Sequence, residues 1–238
     1  MSAVRDSAGK SIEGSVRGPR LGARLVRLYA GLALYGASCG MTVDAGLGVD
    51  PWDVFHQGVA ERTGLSIGTV SIAVGALVLL LWIPLRQRPG LGTVSNVLVI
   101  GLTMDATMAL VPDAHALGYQ IPLMLSGVLL NGVATGLYIT ARFGPGPRDG
   151  LMTGLHARTG RSIRAMRTVI EVTVLATGWL LGGTVGAGTV VYAVAIGPLA
   201  QYFLRVFAPE KPDETPAAAV PAPRTADPAD GPAEAVSI

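Results

Sequence analysis

The sequence predicts an all-α membrane protein of six transmembrane helices, arranged as two inverted three-helix repeats, each with a short interfacial or re-entrant helix. Three observations lead there. The chain is half apolar, only 14% charged, and has a mean hydropathy of +0.49, against about 25% charged residues in a soluble domain. Six stretches are long and apolar enough to cross about 30 Å of hydrocarbon, which takes roughly 20 residues of helix. The third observation is a polar segment that occurs twice at a fixed spacing.

Taken in order, residues 1–23 are polar and basic and read as a disordered cytoplasmic tail ahead of a retained first helix. A first membrane repeat, 24–115, contains spans at 24–43, 66–85 and 91–111; a second, 116–208, contains spans at 120–141, 163–183 and 187–207. Residues 209–238 are rich in Pro, Ala, Asp and Glu, cannot bury enough apolar surface to fold, and are expected to form a disordered cytoplasmic tail. Lys and Arg collect on the cytoplasmic side of a membrane protein. Placing both termini there puts every Lys and Arg except Arg62 inside. A net charge of +2 is too small to argue for nucleic acid, and the single cysteine, Cys39, excludes an intramolecular disulfide and a cysteine-cluster metal site.

The duplicated segment is GLGVDPWDVFHQGVAERTGLSIG at 46–68, matched 96 residues later by RFGPGPRDGLMTGLHARTGRSIR. Gly48, Pro51, Asp53, Gly58, Arg62, Thr63, Gly64, Ser66 and Ile67 recur as Gly144, Pro147, Asp149, Gly154, Arg158, Thr159, Gly160, Ser162 and Ile163. The same offset aligns GLGTV at 90–94 with GAGTV at 186–190. Three spans per copy is an odd number, so the second copy must enter the membrane from the opposite side. That is the inverted-topology duplication found in many secondary transporters.

Each copy builds a short helix. Asp50 suits the N-cap, Pro51 the first helical position, Gly64 the C-cap, and Ser66 the N-cap of the next span. About 12 residues of helix reach only roughly 18 Å, too short to cross. Such a helix lies at the interface or enters buried in protein. If the two converge on a shared polar cavity, transport is favoured; if they lie flat over a packed centre, an accessory role is.

Candidate pathway residues follow. Asp53 and Asp149 either cap their helices or line a pathway, with Pro51 and Pro147 fixing the helix starts and Gly48 and Gly144 allowing close backbone approach. Ionisable groups inside spans are costly and face the bundle interior, which marks Asp105 and Glu171. Glu171 shares a helix face with Arg164 and Arg167, so an ion pair competes with a pathway role. Asn96 belongs to a polar stripe with Thr93, Thr103 and Thr107, and Asn131 reads similarly; both cavity lining and interhelical hydrogen bonding suit them. His56 and His156 are not equivalent under the repeat, so paired-histidine metal binding is not expected, and both read as interfacial. Trp52 reads as a headgroup anchor. No catalytic residue, metal or cofactor is expected, since HExxH and clustered metal ligands are missing from the sequence.

The PWD…HQG run and the TGLSIGT opening the second span resemble the YczE/YyaS/YitT family of bacterial integral membrane proteins, in particular its YczE-like branch, over about residues 28–207. The resemblance implies a multi-pass protein of the bacterial plasma membrane and carries no catalytic mechanism. The expected function is a small-molecule transporter or exporter of unknown substrate. The alternative is an accessory or scaffold protein supporting a membrane-associated assembly. Partners are the lipid bilayer and that small molecule, not nucleic acid, with self-association left open.

Overall fold

Among the described residues every element is a helix. In chain order they are α1 (Leu21–Asp44), α2 (Pro51–Thr63), α3 (Ile67–Leu85), α4 (Leu91–Leu110), α5 (Leu117–Thr140), α6 (Pro147–Thr159), α7 (Ile163–Leu181) and α8 (Ala187–Val206). This computed structural model describes residues 21–112 and 116–208. The two expected tails lie outside the described residues, apart from 21–23, which already belong to α1. Each helix of the first half has a counterpart of equal length 96 residues on, from α1/α5 at 24 residues to α2/α6 at 13.

Among the described residues, α3, α4, α5 and α8 are long and apolar enough to cross a membrane. Two further spans expected from the sequence, α1 and α7, have the length but a more polar composition. For α1 the packing gives the reason. It runs against both α4 and α5 and buries small or polar residues such as Gly36, Ser38, Gly40 and Thr42 on that side, so one face of it meets protein. Helix α7 carries Arg164, Arg167 and Glu171 in its first half.

The halves interlock. Helix α2 packs on α7 and α6 on α3, while α1 and α5 meet one another. The loops cross over too: Gly188 N–H donates to the Leu47 carbonyl (2.7 Å) and Gly92 N–H to the Phe143 carbonyl (2.9 Å). Gly48 (φ 105°) and Gly144 (φ 114°) make these crossings possible. A Cβ on Gly48 would sit 2.5 Å from the Gly186 nitrogen, and one on Gly144 2.9 Å from Thr93 Oγ1, in a backbone conformation L side chains avoid.

Candidate functional site

The local chemistry of α2 begins the site. Asp50 accepts hydrogen bonds from the backbone N–H of Trp52 (2.8 Å) and of Asp53 (3.2 Å), and Pro51 occupies the first helical position, as its sequence predicts. In α6 the N-cap position is Gly146, which has no side chain to offer, and the Asp149 carboxyl turns back toward the Gly146 backbone. Trp82 of α3 fixes this start: its Nε1–H donates to the Pro147 carbonyl at 3.1 Å.

Between the two helix starts lies a cavity of about 350 Å³. Pro51, Trp52 and His56 reach it from α2, and Pro147, Arg148, Asp149 and Met152 from α6. Tyr35, Asn96, Asn131, Tyr138, Arg167, Glu171 and Tyr192 complete its polar wall from the surrounding helices. The two short helices therefore converge on one polar space; they do not lie flat over a packed centre.

Arg148 organises the charges. Its Nη1 lies 3.6 Å from Asp50 Oδ1, its Nη2 lies 3.7 Å from Asp53 Oδ1, and its Cζ sits 4.9 Å over the Trp52 ring. Both ion-pair distances exceed the roughly 2.7–2.9 Å of a charge-assisted N–H···O bond, so the guanidinium rests on the carboxyls without a bidentate clasp. Burial alone would favour its neutral form, but Asp50 and the groups around it outweigh this and raise its pKa further.

Behind Asp50, Asp53 is 1% exposed. Its Oδ1 faces His56 Nδ1 at 3.1 Å, and its Oδ2 has no hydrogen-bond partner. Burial, followed by the Arg148 charge, drives the His56 pKa down to about 3. The ring is therefore neutral at pH 7 and meets the Asp53 carboxyl through Nδ1. Burial and then the Asp53 charge push the Asp50 carboxyl up to about 7, with Arg148 opposing them. Burial also raises Asp149, against the charges of Arg148 and Arg167. The Tyr138 hydroxyl lies 3.5 Å from Asp149 Oδ2 and donates to it.

The remaining wall ties helices together. Asn131 Nδ2 donates to Ser38 Oγ (2.8 Å), and its Oδ1 accepts from the Tyr192 hydroxyl (3.2 Å), so one amide joins α1, α5 and α8. Arg167 Nε donates to Glu171 Oε1 at 2.8 Å. This pair also lines the cavity.

Of the residues singled out in the sequence, Pro51, Pro147, Asn96, Asp149 and Glu171 line the cavity, and Asp53 stands directly behind it. Three lie elsewhere. Gly48 and Gly144 form the crossing loops, and Asp105 anchors the start of α3, accepting from Ser66 Oγ (2.6 Å) and Gly68 N–H (2.8 Å). Within the polar stripe, Thr103 and Thr107 bond back to their own helix, while Thr93 Oγ1 donates to the Pro145 carbonyl (2.8 Å).

Sequence reasoning missed Arg148, which counted only as a topology-setting charge. A signal existed: at the repeat offset Arg148 is the mate of Trp52 inside an otherwise matched segment. Trp52 is 6% exposed and so is no headgroup anchor, and His56, at 1%, is a core residue rather than an interfacial one. His156 is hydrogen bonded outside the site, with Nδ1 2.6 Å from the Arg161 carbonyl. Cys39 Sγ and carboxyl oxygens of Asp50 and Asp53 lie within 4.8 Å of one another, a grouping that counting cysteines could not anticipate. Arg148 already supplies the cation beside these carboxyls.

Comparison with known proteins identifies a family. A family of unknown function, DUF6198, matches residues 22–205. An uncharacterized protein of Haemophilus influenzae is 42% identical over 183 residues, which cover 77% of this chain and 84% of that protein. The uncharacterized membrane protein YczE of Bacillus subtilis is 32% identical over 178 residues, covering 74% of this chain and 83% of YczE. A second protein of that organism, YyaS, is 24% identical over 185 residues, covering 75% and 92%. No solved structure matches. The resemblance carried by the PWD and TGLSIGT segments therefore holds across the helices that build the cavity. The chain belongs to the DUF6198 family and is a bacterial multi-pass membrane protein homologous to YczE and YyaS.

Proposed function

We propose that this protein is a small-molecule transporter of the bacterial plasma membrane, working by alternating access around the central cavity. The observation that carries the reading is the convergence of the α2 and α6 starts on one polar cavity. Inverted-repeat transporters place their sites at the repeat interface, where short or broken helices converge. In support, the cavity wall contains residues at the 96-residue offset from both halves: Tyr35 with Asn131, Trp52 with Arg148, Gly75 with Glu171, and Asn96 with Tyr192. Trp52 and Arg148 touch each other, as repeat mates do only near a two-fold axis. Under this reading α1 and α7 also cross the membrane, giving six spans, both termini are cytoplasmic, and the halves are inverted. The more polar α1 and α7 are then accommodated by protein packing and by the cavity.

The test is thiol accessibility in a Cys39→Ala background. Glu61→Cys and Ala157→Cys, exposed repeat mates, should react with a membrane-impermeant reagent only from outside and only from inside, respectively. Ser71→Cys on the cavity wall should react from a side that changes with added solute. Labelling of 61 and 157 from one side would break the inversion. A Ser71→Cys sealed from both sides under all conditions would favour the accessory role.

A further inference from the structure

We propose that the cavity binds a small organic cation, an ammonium or guanidinium group, which takes the place of the Arg148 guanidinium on Asp50, Asp53 and Trp52. The inference names the substrate class of the transport reading above and rests on that reading only for movement across the membrane, not for binding.

Charge balance points first. Asp50, Asp149 and Glu171 line the cavity and Asp53 backs it, against the guanidiniums of Arg148 and Arg167. Arg167 is engaged by Glu171 at 2.8 Å, which leaves Asp50 and Asp53 to Arg148, with Asp149 under the charges of both arginines. An anionic ligand would find each arginine already beside a carboxyl. A cationic one finds an excess of acceptors.

The second argument is how loosely the present occupant sits. Arg148 approaches Asp50 and Asp53 at 3.6 and 3.7 Å, outside direct hydrogen-bonding range, and Asp53 Oδ2 is buried with no hydrogen-bond partner. The carboxyl pair therefore has acceptor capacity that the tethered cation does not use. An untethered ammonium or guanidinium can approach to bonding distance, where charge-assisted bonds are about twice as strong as neutral ones.

Third, the floor of the site is an aromatic face. The guanidinium carbon stacks 4.9 Å over Trp52, within the roughly 6 Å at which a ring attracts a cation, and Tyr35 and Tyr138 stand in the same wall. An inorganic cation would use the carboxyls, but a delocalised or alkylated cation also uses the ring and the apolar wall. A volume of about 350 Å³ lies at the lower end of the roughly 300–1,000 Å³ of small-molecule sites.

The experiment measures methylguanidinium chloride binding to the full chain in lipid nanodiscs, by ligand-dependent shift of the unfolding midpoint. Sodium chloride at matched ionic strength and sodium acetate serve as controls. Arg148→Ala removes the tethered competitor and should bind methylguanidinium at least about tenfold more tightly than the parent, a change of about 1.4 kcal/mol. Adding Asp53→Asn should abolish the gain, and Trp52→Leu should reduce it. If Arg148→Ala does not give monodisperse protein, Arg148→Gln keeps a long polar side chain without the charge and should still bind methylguanidinium more tightly than the parent. Unchanged affinity in the arginine variant tested, or an equal gain for sodium or acetate, would overturn the proposal. Proteoliposomes separate it from the transport reading. Binding of methylguanidinium without uptake leaves the cation site standing and removes transport. Flux of another solute that methylguanidinium does not inhibit leaves transport standing and removes the cation site.

Discussion

The position of Arg148 depends on how α6 is held, and one contact makes that dependence measurable. Trp82 is 1% exposed and pinned by its 3.1 Å hydrogen bond to the Pro147 carbonyl. Its ring lies directly against Gly150: a Cβ there would fall 2.5 Å from one ring carbon and 2.6 Å from another, and would overlap a third. Buried and hydrogen bonded, the ring cannot swing aside, so Gly150→Ala should cost near the top of the overpacking range, about 3 kcal/mol. In a Trp82→Leu background the clashing ring atoms are gone, and the same alanine should cost well under about 1 kcal/mol. Trp82→Leu itself loses packing and the bond to Pro147, costing about 2–4 kcal/mol. The coupling between the two positions should then be about 2 kcal/mol, a large value for neighbouring residues. The assay is a double-mutant cycle on resistance to SDS unfolding, read by size-exclusion profile rather than tryptophan emission, since the mutation removes a tryptophan. If Gly150→Ala costs the same with and without the Trp82 ring, α6 is not held by this contact.

Other outcomes follow from the same geometry. Asp50, raised to about 7, holds its proton in the folded state where the unfolded chain gives it up, so its contribution to stability declines as pH rises from about 4 to about 7. His56, lowered to about 3, does the reverse: its contribution is full above about 6.5 and is lost as pH falls. The two slopes oppose each other between about pH 4 and pH 6.5. There Asp50→Asn should make the unfolding midpoint rise with pH, and His56→Gln should make it fall; parallel profiles would show that neither group titrates in place. Asp105→Ala removes two acceptor bonds at the start of α3, and should cost about 1–2 kcal/mol while leaving methylguanidinium affinity unchanged. A Gly48→Ala change meets backbone at 2.5 Å in a positive-φ conformation. It should reduce the yield of monodisperse protein severalfold, and normal yield would mean that the loop crossing is not tight.

Much of this architecture was legible because its causes are local. The start of α2 at Pro51, its Asp50 and Gly64 caps, and the Ser66 cap of α3 are all where short-range chemistry puts them. The predicted span at 91–111 became Leu91–Leu110, and that at 187–207 became Ala187–Val206, because a membrane helix announces itself residue by residue. The site was only half legible. Pro51, Asp149 and Glu171 stood out as polar or helix-starting residues in an apolar chain. Arg148 did not, because an arginine near the end of a span satisfies the charge rule for topology whichever way its side chain turns. Its turn inward depends on Asp50 and Asp53, about 95–98 residues away in sequence, and no local pattern encodes a contact of that range. Trp52 escaped for a similar reason: an indole beside a polar loop looks amphipathic until a guanidinium covers its face.

The crossed loops have a consequence for how the protein is made. The Gly188 amide that meets the Leu47 carbonyl, and the α7 surface that covers α2, lie more than a hundred residues downstream of their partners. During synthesis the first half emerges with the face of α2 that meets α7 open and with no Gly188 amide for its Leu47 carbonyl. It stays so until the chain has been extended through the start of α8. Expressed as two separate halves divided between residues 112 and 116, each fragment would lack the surface that completes its short helix, and only co-expression would restore the cavity.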